Sequence, residues 1–189
     1  MNDFQIFKNI QNHIVLNEVE KLQIIASFSV IDIQKKQQIL EQGKLCKRIY
    51  FVESGSLRAF NIGVDGKTST IMFAVKDWWI TDMNAFVKKC PSLFYIEALE
   101  TSKVVALEFD ALERLCETVP KLERFFRILF QNAYIREQQR ALQSISMTTD
   151  QRYRQFIMNY PAIVQKVTQK QIASYLGITP EFLSAIKNK

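Results

Sequence analysis

The segment TQKQIASYLGITPEFLSAIKNK, residues 168–189, decides how this chain is read. It holds two short helices and a tight turn between them. Thr168 and Gln171 have the spacing of a capping box, in which the hydroxyl accepts the backbone N–H three residues on and the amide reaches back. Gly177 stands where the chain must leave the first helix in a left-handed conformation. Thr179 followed by Pro180 opens the second helix, because proline at the first helical position sacrifices no hydrogen bond. Ala173 is small where two helices crossing at about 90–120° touch, and Ile172, Leu176, Ile178, Leu183 and Ile186 fall at spacings that fill the angle between them. This is the pattern of a helix-turn-helix. A plain helical hairpin packed on the body is the alternative.

A helix-turn-helix sets its second helix in the DNA major groove with its N-terminal residues toward base edges. Here those residues are Thr179, Pro180, Glu181 and Ser184. Glu181 can accept from a cytosine amino group, and Ser184 can meet a base or a phosphate. Gln169, Lys170, Lys187 and Lys189 suit phosphates, which set register without reading sequence. The charge distribution agrees. Residues 151–189 carry six Lys and Arg against Glu181 alone, a balance of +5, whereas residues 1–150 carry 19 Lys and Arg against 18 Asp and Glu, a balance of +1. A nearly neutral body with a basic end is expected where only the end meets a polyanion.

Working outward, the chain after Pro120 stays helical to about Ile145, with no further Gly or Pro. Leu122, Phe126, Leu129 and Ala133 mark one stripe, and Phe125, Ile128 and Ile135 widen it beyond a single core contact. A helix apolar on more than one side must face its own domain and something else, and a second copy of the chain is the simplest partner. The segment Ser144–Thr149 then breaks the pattern as a hinge, with Thr149 available as the next cap. Earlier, from Val30 to about Leu107, come short β-rich runs (Ile49–Val52, Leu57–Phe60, Ser69–Phe73, Val104–Leu107), with Gly43, Gly55, Gly63 and Gly66 in the first half of the stretch, which predicts antiparallel strands closing into a barrel-like sandwich. The N-terminal residues read as helical. Asn17 with Glu20 resembles a capping box, and Val19, Leu22, Ile25 and Ala26 follow at helical spacing.

Several function classes are excluded at this level. With 48% hydrophobic and 23% charged residues among 189, the chain lies outside the composition of disordered proteins. No run approaches the ~18 apolar residues of a membrane helix, and the start lacks the basic and apolar regions of a signal peptide, so no membrane partner and a cytoplasmic location are expected. Cys46, Cys90 and Cys116 form no CxxC pair and read as reduced thiols. The solitary His13 supplies neither a His-based catalytic triad nor the several ligands that a cupin-type metal barrel needs. No catalytic residue, metal or cofactor is expected.

The order of elements resembles the CRP/FNR family of bacterial transcription regulators. IYFVESGSLRAF at 49–60 is similar to the family's strand-turn-strand, VDGKTSTIMF at 64–73 to its following hairpin, and WWITDMNAFVKKCPSLFYIEALE at 78–100 to the stretch that forms the phosphate-binding cassette in nucleotide-binding members. The resemblance implies an α+β chain: an antiparallel β-roll (jelly roll) with flanking helices, a long dimerisation helix and a C-terminal helix-turn-helix. Its parts would be a cyclic-nucleotide-binding-like sensor domain at 1–116, the long helix and hinge at 117–147, and the DNA-binding domain at 148–189. It implies a homodimer acting on DNA, with a small-molecule effector and RNA polymerase as further partners, and places an effector pocket near Asp82, Met83, Ser92 and Leu93.

The departures matter as much. Nucleotide-binding members need Gly-Glu for the ribose and an Arg for the cyclic phosphate. Here Thr81-Asp82 stand in the first place and Ser92 in the second, with Lys88 and Lys89 displaced along the loop. Asp82 can still accept a ribose hydroxyl, but the missing charge-assisted pair argues that cyclic AMP is not the effector. Three scattered Cys and His13 likewise do not supply an iron–sulfur cluster or a haem. In the recognition helix Pro180 and Ala185 stand where the family usually has Arg, and the chain stops at Lys189, which leaves no sequence for a β-hairpin wing. DNA binding is therefore expected to depend more on phosphates and on salt. The rival reading is a ligand-sensing roll whose helix-turn-helix serves a structural or protein-contact role.

Overall fold

The β-branched and aromatic runs become strands, and the helical stretches flank them. The computed structural model describes residues 4–187. Among these, β1 (Phe28–Ile33), β2 (Gln38–Leu40), β3 (Arg48–Ser54), β4 (Ser56–Ile62), β5 (Thr68–Val75), β6 (Trp79–Ile80), β7 (Tyr95–Ala98) and β8 (Ser102–Glu108) form two antiparallel sheets, ordered β1-β8-β3-β6 and β2-β7-β4-β5. In β3 the residues Ile49, Tyr50, Phe51 and Val52 are all buried, a continuous apolar run because the strand is covered on both faces. The turn from β3 into β4 rests on Gly55, whose φ is +89°.

Helices α1 (Gln5–Gln11), α2 (Glu18–Ser27), α3 (Met83–Lys88) and α4 (Phe109–Thr118) surround the roll. The capping box of Asn17 and Glu20 forms, with both hydrogen bonds at 2.8 Å. The face of α2 differs from the expectation. Val19 and Leu22 are exposed, and Ile24 is the buried residue. Ile24 enters the core with Ile25 packed against it, so Val19 and Leu22 turn to solvent, and Lys121 Nζ lies 2.9 Å from Glu20 Oε1 beside that contact.

The long helix α5 (Lys121–Ser146) divides along its length. Its first turns bury Leu122, Phe125 and Phe126, and Trp79 meets both phenyl rings at centroid distances of 6.0 and 5.7 Å. Farther on, Ile135, Leu142 and Ile145 are 49%, 64% and 86% exposed. The hinge is shorter than expected. α5 ends at Ser146, and Thr148, rather than Thr149, caps α6 (Thr149–Asn159) in a capping box with Gln151. Thr148 has the extended backbone that a cap requires, whereas Thr149 is already the first helical residue.

Beyond α6, α7 (Pro161–Val164), α8 (Gln169–Leu176) and α9 (Pro180–Lys187) build a second, smaller core around Phe156, Ile172, Ala173, Leu176 and Leu183. That core includes Phe73 of β5, so the C-terminal helices sit directly on the roll. β5 is an edge strand, and α8 pairs with it through one side chain. Ser174 Oγ accepts from Thr70 N at 2.8 Å and donates to Thr68 O at 2.7 Å, satisfying backbone groups that an open edge leaves unpaired. No helix of the described residues is long and apolar enough to cross a membrane.

Candidate nucleic-acid interface and effector cavity

The terminal segment folds as its spacing dictates. Thr168 and Gln171 form the capping box, Gly177 ends α8 at φ 70°, and the N–H of Phe182 donates to Thr179 Oγ1 at 3.2 Å at the start of α9. Ala173 and Leu183 are 0% exposed, and with both inner faces closed the outer face of α9 is left to solvent. Gln169, Lys170, Thr179, Pro180, Glu181, Ser184 and Lys187 are all exposed. Lys189 lies outside the described residues.

Sequence reasoning missed Phe182. It is 52% exposed on α9, beside Glu181. The signal was available: Leu183 and Ile186 fill the inner face, so the aromatic next to Leu183 must point outward.

The basic surplus of the C-terminal part divides in two. Arg152 donates to Leu176 O (3.1 Å), Arg154 pairs with Asp150 (3.0 Å), and Lys166 reaches Glu100 (2.6 Å) in the turn between β7 and β8. The Lys166 ammonium, with help from Ser56, holds the Glu100 carboxyl below its ordinary pKa. Arg152 thus ties α6 to α8 and Lys166 ties the C-terminal helices to the roll, whereas the Arg154 pair stays within α6. Lys170 and Lys187 stay outward.

In the roll, Asp82 and Ser92 require a correction. Asp82 is 2% exposed and its carboxylate is filled by the protein: Ala85 N donates to Oδ1 at 3.0 Å, and Ser92 Oγ and Leu93 N donate to Oδ2 at 2.9 and 3.0 Å. It caps α3 and staples the loop before β7, so three donors of the protein already engage the carboxylate. Asp82, Met83 and Leu93 border a cavity of about 580 Å³ walled by Trp78, Trp79, Phe94, Phe125 and Phe130, whereas Ser92 does not. Arg136 and Arg140 of α5 also reach it. The cassette loop lacks an arginine, and these two come instead from more than forty residues downstream, beyond the reach of any local motif.

The thiols Cys46, Cys90 and Cys116 are free. Burial, with Glu123 and Glu113 nearby, pushes the Cys116 thiol up to about 11, so it stays protonated and a poor nucleophile. Among the described residues no three His, Cys, Asp or Glu side chains converge as metal ligands.

Comparison with known proteins agrees with this architecture. Residues 30–119 match the cyclic nucleotide-binding domain. The chain is 25% identical over 167 residues to the regulatory protein HlyX of Actinobacillus pleuropneumoniae, covering 82% of this chain and 68% of that protein. It is 27% identical over 165 residues to an anaerobic regulatory protein of Pasteurella multocida, covering 82% of this chain and 60% of the relative. The chain thus spans about two thirds or less of these relatives' length. A transcriptional regulator of the crp/fnr family from Eubacterium rectale superposes with a TM-score of 0.72 at 17% identity, over 92% of this chain and 82% of that one. With a roll, a long helix and a terminal helix-turn-helix in that order, the chain carries a cyclic nucleotide-binding domain and is similar over most of its length to regulators of the CRP/FNR type.

Proposed function

We propose that this chain is a cytoplasmic, homodimeric DNA-binding transcription regulator rather than an enzyme, with a sensor at 1–116, a dimerisation helix and hinge at 117–147 and a DNA-binding part at 148–189. The observation that carries the reading is the free outer face of α9, where Glu181, Phe182, Ser184 and Lys187 are exposed over a fully buried Leu183. Glu181 reads cytosine amino groups, and Phe182 offers an apolar surface for thymine methyls. Gln169, Lys170 and Lys187 hold phosphates.

Selection of genomic DNA by the purified protein at physiological salt tests this reading. An inverted repeat is expected. Glu181→Ala and Phe182→Ala should relax one or two positions of it, by about 1–3 kcal/mol each, and Lys187→Ala should weaken binding without altering the sequence. Selection of no sequence at all would favour the rival role, in which the helix-turn-helix contacts protein only.

Dimerisation is supported by α5. Ile128, Ile135 and Leu142 recur every seven residues and Ile145 follows Leu142 by three, an apolar row along one face of the helix with Gln131 and Gln138 beside it. Light scattering at micromolar concentration should give twice 22.1 kDa, and Ile135→Glu should return the mass to that of one chain. A wild-type mass of 22.1 kDa would remove the dimer.

The effector occupies the cavity between the roll, α5 and the C-terminal helices and is not cyclic AMP, because three protein donors engage Asp82 and Ser92 stands in the place of the phosphate-binding Arg. Saturable binding of cyclic AMP at micromolar concentration would overturn that. RNA polymerase is the remaining partner in this reading.

A further inference from the structure

Two of the three thiols face each other across a backbone pairing that no sequence motif announces. Leu45 and Pro91 form an antiparallel bridge between the segment leading into β3 and the one leading into β7. Ser92 N donates to Lys44 O and Gly43 N to Ser92 O, both at 2.8 Å, which fixes the register. The next residues to oppose each other in that register are Cys46 and Cys90. Directly opposed residues of an antiparallel pair have Cα atoms about 4.5–5.5 Å apart, inside the ~4.4–6.8 Å that a disulfide spans.

The two sulfurs share one neighbourhood. Cys46 belongs to the core of the roll and Cys90 packs against it. Cys46 Sγ lies 3.2 Å from Thr81 Oγ1 and Cys90 Sγ lies 3.7 Å from Asn84 Nδ2, two residues that flank Asp82 at the start of α3. Both thiols are free, so bonding them takes a turn of the side chains about Cα–Cβ and no rearrangement of backbone. Exposure separates their roles, since Cys46 is 4% exposed and Cys90 is half-buried. Cys116 belongs to α4, where burial keeps its thiol protonated.

We propose that Cys46 and Cys90 are a redox-active pair that a hydroperoxide converts to an intrachain disulfide. The more accessible Cys90 reacts first. Its sulfur attacks one peroxide oxygen, the O–O bond breaks, and the thiol proton leaves with the other oxygen as water, giving a sulfenic acid. Cys46 Sγ then attacks the Cys90 sulfur, the S–S bond forms, the S–O bond breaks, and the hydroxyl departs with the Cys46 proton as a second water. Two electrons pass from the thiol pair to the peroxide, and a thiol reductant returns them. A disulfide in a reducing compartment is usually transient and redox-sensing. Thr81 and Asn84, which the two sulfurs touch, line the cavity assigned to the effector, so the new bond alters that wall. That regulatory sense rests on the DNA-binding reading and its effector cavity, whereas the disulfide does not.

The test treats the full, reduced chain with hydrogen peroxide, quenches it with N-ethylmaleimide in denaturant and maps the tryptic peptides by mass spectrometry. Free thiols should fall from three to one, with the peptides of Cys46 and Cys90 joined and lighter by the two thiol hydrogens, and dithiothreitol should restore all three. A non-reducing gel should show a single chain of 22.1 kDa. Cys116→Ser should yield the same joined peptide. Cys46→Ser should instead accumulate a sulfenic acid at Cys90 that dimedone traps, and Cys90→Ser should keep both remaining thiols. The proposal is overturned by three thiols surviving peroxide, by a joined peptide that contains Cys116, or by a disulfide between two chains. Affinity of the oxidised chain for its selected DNA should differ from that of the reduced chain by about fivefold or more. Equal affinities, or a chain that forms the disulfide and selects no DNA, would overturn the regulatory sense and leave the redox pair.

Discussion

Gly55→Ala is expected to lower the melting temperature by roughly 10 °C, the equivalent of about 3 kcal/mol in a chain of this size. Two costs combine. The left-handed backbone at φ +89° penalises any Cβ by about 1–2 kcal/mol. An added methyl would also stand 2.2 Å from Ser102 Oγ and 2.7 Å from Ser102 Cα, which belongs to backbone and cannot swing away; overpacking of that kind costs about 1–3 kcal/mol. The same Ser102 hydroxyl accepts the N–H of Ser56, so displacing it also loosens the first pairing of β4. Gly66→Ala separates the two contributions. Its φ is +74° with nothing within 4 Å of the new carbon, so only the conformational cost applies and the loss should be about 1–2 kcal/mol. Equal losses for the two variants would show that the contact with Ser102 is not what constrains Gly55.

The second large effect belongs to Asp82. Its removal in Asp82→Ala leaves the buried N–H of Ala85 and the N–H of Leu93 without their acceptor, while the Ser92 hydroxyl turns to Phe94 O at 2.8 Å. A lost helix cap costs about 1 kcal/mol and each orphaned buried donor about 1–3 kcal/mol, so a loss near 3–5 kcal/mol is expected. The expected signature is a lower melting temperature of the protein without any added ligand, together with faster amide exchange in α3 and the loop to β7. A variant that melts like the parent and differs only in ligand affinity would restore Asp82 to the effector site and refute the stapling role.

Much of the fold was legible because its signals are local. Capping boxes at Asn17 and Thr168, the left-handed exit at Gly177 and Pro180 at a helix start each involve residues within a few positions of one another, and each forms as read. The presence of short antiparallel strands between about 30 and 107 followed from β-rich runs and glycines, whereas their order in the two sheets did not. The face of α2 did not follow. Its apolar spacing was real, but the core took Ile24 with Ile25 beside it and left Val19 and Leu22 outside. Thr149 lost the cap to Thr148 by a single position, a shift within the reach of where α5 happens to end.

The candidate site divides along the same line. That the exposed face of α9 carries Glu181, Ser184 and Lys187 was determined by the sequence alone, since helical periodicity places Leu183 and Ile186 inward and the others out. Phe182 was determined in the same way and was overlooked. Only the tertiary structure decided that Asp82 is consumed by Ser92 and Leu93, that Lys166 ties to Glu100, and that Arg136, Arg140 and Arg152 gather opposite Thr70. Periodicity and caps are properties of one helix or turn, set by backbone geometry within four residues. The partner of a carboxylate or a guanidinium is set by which distant segments the burial of Phe73, Phe125 and Phe156 brings together, as when Ser174 meets Thr70 across 104 positions of chain.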